Sequence, residues 1–311
     1  MTISRVGLSR YIIAVSLGFV LFFGVHSFSL ASSDISYRVY QEQNSEVRVV
    51  RIPVKSDYVV RVEIATELTP LEDMAAENKA VAGINGGYFD PKNQKTTSYI
   101  TQDTVLVADP RTNERLIDNP DLKQYLEKIL NRSEFRRYQC GEKTRYDITF
   151  HSAAIPNECV VRDALGAGPQ LLPRDTSVAE GFTAYEDGKL IRNAIGGDGL
   201  NARSAVAIAK DGDVILAMVG QKKPRACFQA KFSIPFKKGE RVKSGKTNSC
   251  NSGMSLTDLA AFLSRLGATK AMNLDGGSSS SLYYQGNTYY GKLDREGNRV
   301  ARPLKSVLLV K

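Results

Sequence analysis

Apolar and polar positions alternate with a period of two over several stretches of the chain, and that period predicts strands. Val47 to Val50 is β-rich, Tyr58 to Ile64 alternates, and Ala80 to Ile84 is an apolar run ending at Asn85-Gly86-Gly87. Leu71 to Asn78 reads as a short helix, and Pro91 to Thr104 as a polar connection. Asp121 to Leu130 is helix-like, with Pro120 at the first position, where a missing N–H costs nothing. Asn113 to Cys159 is charged and reads as a loop-rich insertion against the core.

Further on, Asp-Gly turns predict two hairpins. Ala184-Tyr185 and Lys189-Leu190 flank Asp187-Gly188, and Ala205 to Ala209 and Val214 to Val219 flank Asp211-Gly212. The second pair is apolar almost throughout, so it belongs in the middle of a sheet covered on both faces. Leu256, Leu259, Ala260, Leu263 and Leu266 recur at helical spacing, with Ser255 and Asp258 as a capping-box pair and Gly267 as the C-terminal stop. A buried strand, Lys270 to Leu274, then runs into Asp275-Gly276-Gly277-Ser278-Ser279-Ser280-Ser281; Leu282 to Tyr284 and Ser306 to Val310 are the last strands. Hairpins require antiparallel pairs, and few helices are long enough to cross over between parallel strands. The expected fold is therefore α+β: one domain with a mixed, largely antiparallel sheet packed by helices, carrying the insertion at about 113–160. Residues 32–79 supply N-terminal strands leading into a domain over 80–311.

The first 31 residues stand apart. Arg5 and Arg10 precede an apolar run, Tyr11 to Val25, and Ser29-Leu30-Ala31 offers small residues to a signal peptidase. Fifteen apolar residues are short for a membrane span of roughly 20. The segment reads as a signal peptide cleaved after about Ala31, which predicts a periplasmic or extracellular protein; an uncleaved anchor is the one route to a membrane. Its removal takes away two arginines and no acid from a chain of net charge +9. The basic residues are scattered and no nucleic-acid motif accompanies them, so an anionic glycan or phosphodiester is the expected partner, not a nucleic acid.

Histidine is scarce: His26 lies in the leader, leaving His151. A multi-histidine metal centre is therefore excluded within one mature chain, and neither a metal nor another cofactor is expected. The four cysteines, Cys140, Cys159, Cys227 and Cys250, are even in number in an exported chain, which predicts disulfides. Sequence proximity favours Cys140–Cys159 and Cys227–Cys250 among three possible connectivities.

Candidate chemistry gathers where strands end in glycine-rich turns. Asp275 with Gly276, Gly277, Ser278 and Ser279 places a carboxylate, backbone N–H groups and hydroxyls together, an arrangement able to hold a phosphate or sugar, although Asp-Gly is also a common plain turn. Asn85-Gly86-Gly87 and Gly166-Ala167-Gly168 are similar. Neither has dinucleotide or P-loop spacing. Arg203, at the head of an apolar strand, either pairs with a carboxylate or receives an anion.

Taken in order, Asn85-Gly86-Gly87-Tyr88-Phe89, Gly168-Pro169-Gln170-Leu171, Ala202-Arg203-Ser204-Ala205-Val206, Gly253-Met254-Ser255-Leu256-Thr257-Asp258-Leu259-Ala260 and Asn273-Leu274-Asp275-Gly276-Gly277-Ser278-Ser279 resemble the phosphodiester glycosidase family. The resemblance extends to Arg302-Pro303 before the last strand. It implies an exported hydrolase that cuts a sugar-1-phosphodiester at the glycosidic bond, releasing sugar and a phosphomonoester. Asp275 is then the expected catalytic carboxylate, with Asp90 and Asp198 as alternatives. Asn85 and Asn273 hold sugar hydroxyls or orient that carboxylate. Arg203, Arg302 and the turns at Gly86, Gly87, Gly168, Gly276, Gly277, Ser278 and Ser279 bind substrate and phosphate. Two rivals stand beside this: a non-catalytic glycan- or cell-wall-binding protein, and a hydrolase using a serine of Ser278 to Ser281 with His151 as base.

Overall fold

The computed structural model describes residues 1–2, 34–223 and 252–311. The chain divides into a unit Met1–Ser32 and a unit Ser33–Lys311, and the second carries the fold. Most of the leader, and both Cys227 and Cys250, lie outside the described residues.

Among the described residues, three sheets and one separate hairpin form the fold. The first sheet has six strands, in the order Ser36–Glu42, Ser45–Ile52, Val214–Gln221, Arg203–Ala209, Ala268–Asn273 and Gln170–Leu172. The second has five: Asn287–Tyr290, Ser281–Tyr284, Ala82–Asn85, Leu304–Val310 and Val60–Thr69. Val105–Ala108, Ile100–Gln102, Cys159–Gly166, Ser133–Cys140 and Lys143–Phe150 form the third. Thr183–Glu186 pairs with Lys189–Asn193 across Asp187 and Gly188, both at positive φ (49° and 75°), as a two-residue hairpin turn requires.

The period of two becomes a layered core. Val206, Ile208, Val214, Leu216, Met218 and Met272 face one way from the first sheet and pack against Ile84, Leu282, Leu308 and Val310 of the second and Ile100, Phe135, Ile148 and Leu165 of the third. Ala205, Ala207, Ile215, Ala217 and Ala271 face the other way, against Leu256, Leu259, Phe262 and Leu263 of the helix Leu256–Arg265. The apolar hairpin is thus central and covered on both faces. Burying each such large aliphatic side chain is worth roughly 1.5–3 kcal/mol. Both halves of the capping box form: Ser255 Oγ accepts from the Asp258 N–H at 3.1 Å, and the Asp258 carboxylate accepts from the Ser255 N–H at 3.3 Å. On the outer face of the second sheet, Leu304, Val307 and Leu309 pack on Leu71, Met74 and Ala75 of the helix Leu71–Glu77.

Three expectations need correction. Every strand pair among the described residues is antiparallel, so the sheet is not mixed. Segment 113–160 is not loop-rich either: Ser133–Cys140 and Lys143–Phe150 form a long hairpin that puts Phe135 and Ile148 into the main core. Its charges hid the strands because they are buried in pairs. Arg136 Nε donates to Glu134 at 2.8 Å and Arg137 Nε to Asp163 at 2.6 Å, so charged residues occupy positions where alternation calls for apolar ones. Finally, the helix expected over 121–130 is a 3-10 segment, Pro120–Tyr125, followed by the short α-helix Leu126–Leu130.

Cys140 and Cys159 face each other in register on adjacent strands, 4.1 Å apart at Cα, and are disulfide-bonded as expected.

Candidate active site

Asn85 and Asn273 end two strands in different sheets, and the backbone beyond them meets. The Asp275 N–H donates to Gly86 O at 3.0 Å, and Asn85 Nδ2 donates to Asp275 O at 2.7 Å. Asn85 Oδ1 accepts from the Ser281 N–H at 3.2 Å. One fully buried amide therefore holds both ends of the Asp275–Ser281 turn. On the other side, the Leu274 N–H donates to Ser204 O and the Gly277 N–H to Ala202 O, tying the turn to the central strand. The bonds of Asn85 go to the backbone that carries Asp275.

Asp275 lies deep in the protein with a side chain that is still partly exposed. Burial pushes its carboxyl up to about 6, against the pull of Arg302 and of the Gly276 N–H, which donates to Oδ1 at 2.9 Å. Ser279 sits close enough to favour the charged form, but its buried hydroxyl makes no well-formed hydrogen bond. A carboxyl balanced near 6 is suited to exchange a proton near neutral pH. The alternatives are less suited. Asp90 is paired with Arg115 at 2.6 Å; against the push of burial, the Lys92 N–H and that guanidinium hold it below the usual carboxylate range. Asp198 is exposed.

The arginines divide. Arg302 Nη1 donates to Ser278 Oγ at 3.1 Å, its guanidinium lies 4.8 Å from the centre of the Phe89 ring, and it acts electrostatically on Asp275. Arg203 differs from expectation. Only 2% exposed, it donates to four backbone carbonyls: Met254 at 3.2 Å, Ile195 at 3.1 Å, Gly196 at 2.6 Å and Gly199 at 3.0 Å. The fork that suits a phosphate instead fastens the 195–199 loop and Met254 to the central strand.

Several glycines also serve packing. A Cβ on Gly86 would lie 2.4 Å from Ser306 Oγ, and one on Gly87 2.2 Å from Gly166 O, so this pair lets the turn touch the second and third sheets. Gly168, at φ +94°, leaves room for the Glu180 carboxylate, which a Cβ would approach to 2.1 Å. Gly276 and Gly277 do not offer N–H groups to an anion here: the first donates to Asp275, the second to Ala202.

Tyr88, inside a quoted motif but not singled out, is the hub that sequence reading missed. Its hydroxyl donates to Gly168 O at 2.9 Å and accepts from Asn273 Nδ2 at 2.7 Å. Burial, then the negative charge of Asp275, push the phenol far above its ordinary value, so it stays neutral. Asn273 positions this ring, and its own Oδ1 is buried without a partner. His151 belongs to another cluster: Nδ1 is bonded to Glu134 and the ring stacks on Tyr99 with centroids 3.9 Å apart. No bond joins it to Ser278–Ser281 among the described residues, so a serine–histidine pair is not assembled.

A carboxyl near 6 at the junction of two sheets, beside a partly free arginine, meets the ordered motifs quoted above. The phosphodiester glycosidase family model matches residues 78–233 and 242–311. The chain belongs to the phosphodiester glycosidase family. No curated protein matches it by sequence. Solved structures of similar fold include the catalytic domain of zebrafish N-acetylglucosamine-1-phosphodiester alpha-N-acetylglucosaminidase, auto-inhibited by its pro-peptide. That match has TM-score 0.59 and 18% identity, covering 91% of this chain and 84% of that one. A Synechocystis protein matches at TM-score 0.52 and 18% identity over 89% of this chain and 61% of its own. A protein of Burkholderia pseudomallei K96243 matches at 0.55 and 14%, over 86% and 74%. At these identities the structures speak to fold. Both segments matched by the family model include the residues of the Asp275 site: Asn85 and Tyr88 in one, Asn273, Asp275 and Arg302 in the other.

Proposed function

We propose that this phosphodiester glycosidase family member is an exported hydrolase that splits a sugar-1-phosphodiester between the anomeric carbon and the phosphate oxygen. The observation that carries the reading is Asp275, a carboxyl held near 6 beside Arg302. The zebrafish enzyme of similar fold, an N-acetylglucosamine-1-phosphodiester alpha-N-acetylglucosaminidase, supports the choice of bond.

In the proposed reaction, Asp275 in its charged form takes a proton from water as the water oxygen bonds to the anomeric carbon. The bond from that carbon to the phosphate oxygen breaks, and its electron pair leaves with the phosphate. The products are the free sugar and a phosphomonoester. Phosphate departs without needing the strong acid that an ordinary glycoside requires, so one carboxylate suffices. Arg302 stabilises the charge gathering on the leaving oxygen. Asn85 fixes the backbone that carries Asp275, and the buried Asn273 fixes the neutral Tyr88 ring beside it.

Export rests on the leader pattern and is consistent with the disulfide. No helix among the described residues is long and apolar enough to cross a membrane. Assay of the mature protein on a panel of sugar-1-phosphodiesters tests the reading. Release of free sugar that disappears in Asp275→Asn supports it; binding without turnover of any member favours a glycan-binding protein.

A further inference from the structure

Arg132 sits between the short helix Leu126–Leu130 and the strand Ser133–Cys140, in the segment that reads from sequence as a charged insertion. Its side chain is almost wholly buried, the residue being 7% exposed. The guanidinium lies 3.8 Å from the centre of the Phe182 ring and 5.9 Å from that of Tyr88. Only Nε is engaged, donating to Glu180 O at 3.2 Å. Neither terminal amino group has a hydrogen-bond or ion-pair partner among the described residues.

A buried cation without an anion is costly, and buried arginines are normally paired. The obvious partner is already satisfied: the Glu180 carboxylate accepts from the Ser133 N–H at 3.0 Å, Ser133 Oγ at 2.7 Å, the Gln170 N–H at 3.1 Å and the Thr176 hydroxyl. Burial pushes the Arg132 guanidinium down to about 10 against the pull of Tyr88 and of the Glu180 charge, and a second cation, Arg192, adds a smaller push the same way. Arg132 flanks the Tyr88 ring whose hydroxyl bonds to Asn273, two residues before Asp275. Arg302 acts on Asp275, whereas Arg132, together with the carbonyl-bound Arg203, acts on the Tyr88 phenol. Arg132 and Arg302 are thus separate cations with N–H groups to spare.

Resting on the reading above, we propose that Arg132 binds a second acidic group of the substrate, a carboxylate or phosphate other than the scissile phosphodiester. A planar fork with free N–H groups, held against the Phe182 ring, is suited to take an oxyanion. The preferred substrate then carries two negative groups, one at each arginine.

Three sugar-1-phosphodiesters test this: a neutral hexose with a neutral aglycone, the matching hexuronic acid, and the neutral hexose with an aglycone ending in phosphate. The wild-type protein should prefer one of the doubly charged substrates by about tenfold or more in kcat/KM, and which one is preferred distinguishes a group on the sugar from one on the aglycone. In Arg132→Gln that ratio should fall to about one, and in Arg132→Lys to an intermediate value. A ratio of about one in the wild-type protein, or a preference that survives Arg132→Gln, would overturn the proposal. If Arg132→Gln does not fold, Arg132→Lys is decisive: an undiminished ratio overturns the idea. If no phosphodiester is cleaved, the parent reading fails by itself. The anion site is then judged by calorimetric binding of inorganic phosphate to wild-type and Arg132→Lys protein: weaker binding in the variant supports it, equal binding or none in both overturns it.

Discussion

At the scale of single residues, the account turns on one carboxyl and three arginines. If Asp275 acts as a charged base, kcat/KM rises with pH through an acid limb near 6, the position to which burial lifts it; a pH–rate profile with no inflection between 5 and 7 contradicts this. The same shift has a stability consequence. A carboxyl raised in the folded state from 3.8 to about 6 favours folding when protonated, and that contribution is lost as pH rises from about 4 through 6. Asp275→Asn, which mimics the neutral form, should match the wild-type melting temperature below pH 4 and exceed it above pH 6. A melting series across pH checks the sign. Arg203 belongs to a different class. Arg203→Met leaves four carbonyls without their donor, so it should cost about 3–5 kcal/mol in urea denaturation. A fully stable variant that loses only affinity for phosphate would restore the ligand role expected from sequence. Why that role was misassigned is physical. A guanidinium is legible as a fork in the sequence, but whether carbonyls or an anion fill it depends on a loop arriving from elsewhere, here 195–199. The motif around Asp275 was legible because strand, glycines and hydroxyls are contiguous.

At the scale of elements, pattern was most reliable where burial is one-sided or complete. The capped helix Leu256–Arg265 and the apolar hairpin Arg203–Ala209 with Val214–Gln221 stand where period and turn chemistry placed them. Pattern failed for Ser133–Cys140, where Glu134, Arg136 and Arg137 are buried by mutual pairing, a long-range fact that no local window contains. The close approach of elements also makes predictions. Gly87→Ala drives a methyl group into Gly166 O and should lower stability by about 1–3 kcal/mol, seen as an earlier urea midpoint. The Cys140–Cys159 bridge spans 19 positions in sequence, so Cys140→Ser with Cys159→Ser should lose roughly 3 kcal/mol. Because the pair lies away from Asp275, the folded double variant should keep its kcat; a large fall in kcat at unchanged folding would link the bridge to the site.

At the scale of the whole molecule, two sheets deliver their strand ends to one point, and the backbone bonds between Gly86, Asp275 and Asn85 fasten them there. The family was legible from five short motifs in order, because each is a contiguous run of residues: strand ends with their turns, the head of the strand Arg203–Ala209 and the capped start of the helix Leu256–Arg265. The junction itself was not legible, since strand order in a sheet is set by pairings remote in sequence. The third sheet closes the other side, carrying Arg132 and the Glu180 network toward Tyr88. In the proposed reaction a phosphodiester meets a cation for its charge and a carboxyl that activates water, whereas a neutral glycoside brings no anion for Arg302 and a far poorer leaving group. The most direct measurement compares kcat/KM for a sugar-1-phosphodiester and the neutral alkyl glycoside of the same sugar on the wild-type protein. The account predicts a preference for the phosphodiester of about a thousandfold or more, abolished with the activity in Asp275→Asn; equal values for the two substrates, or full activity in that variant, would contradict it.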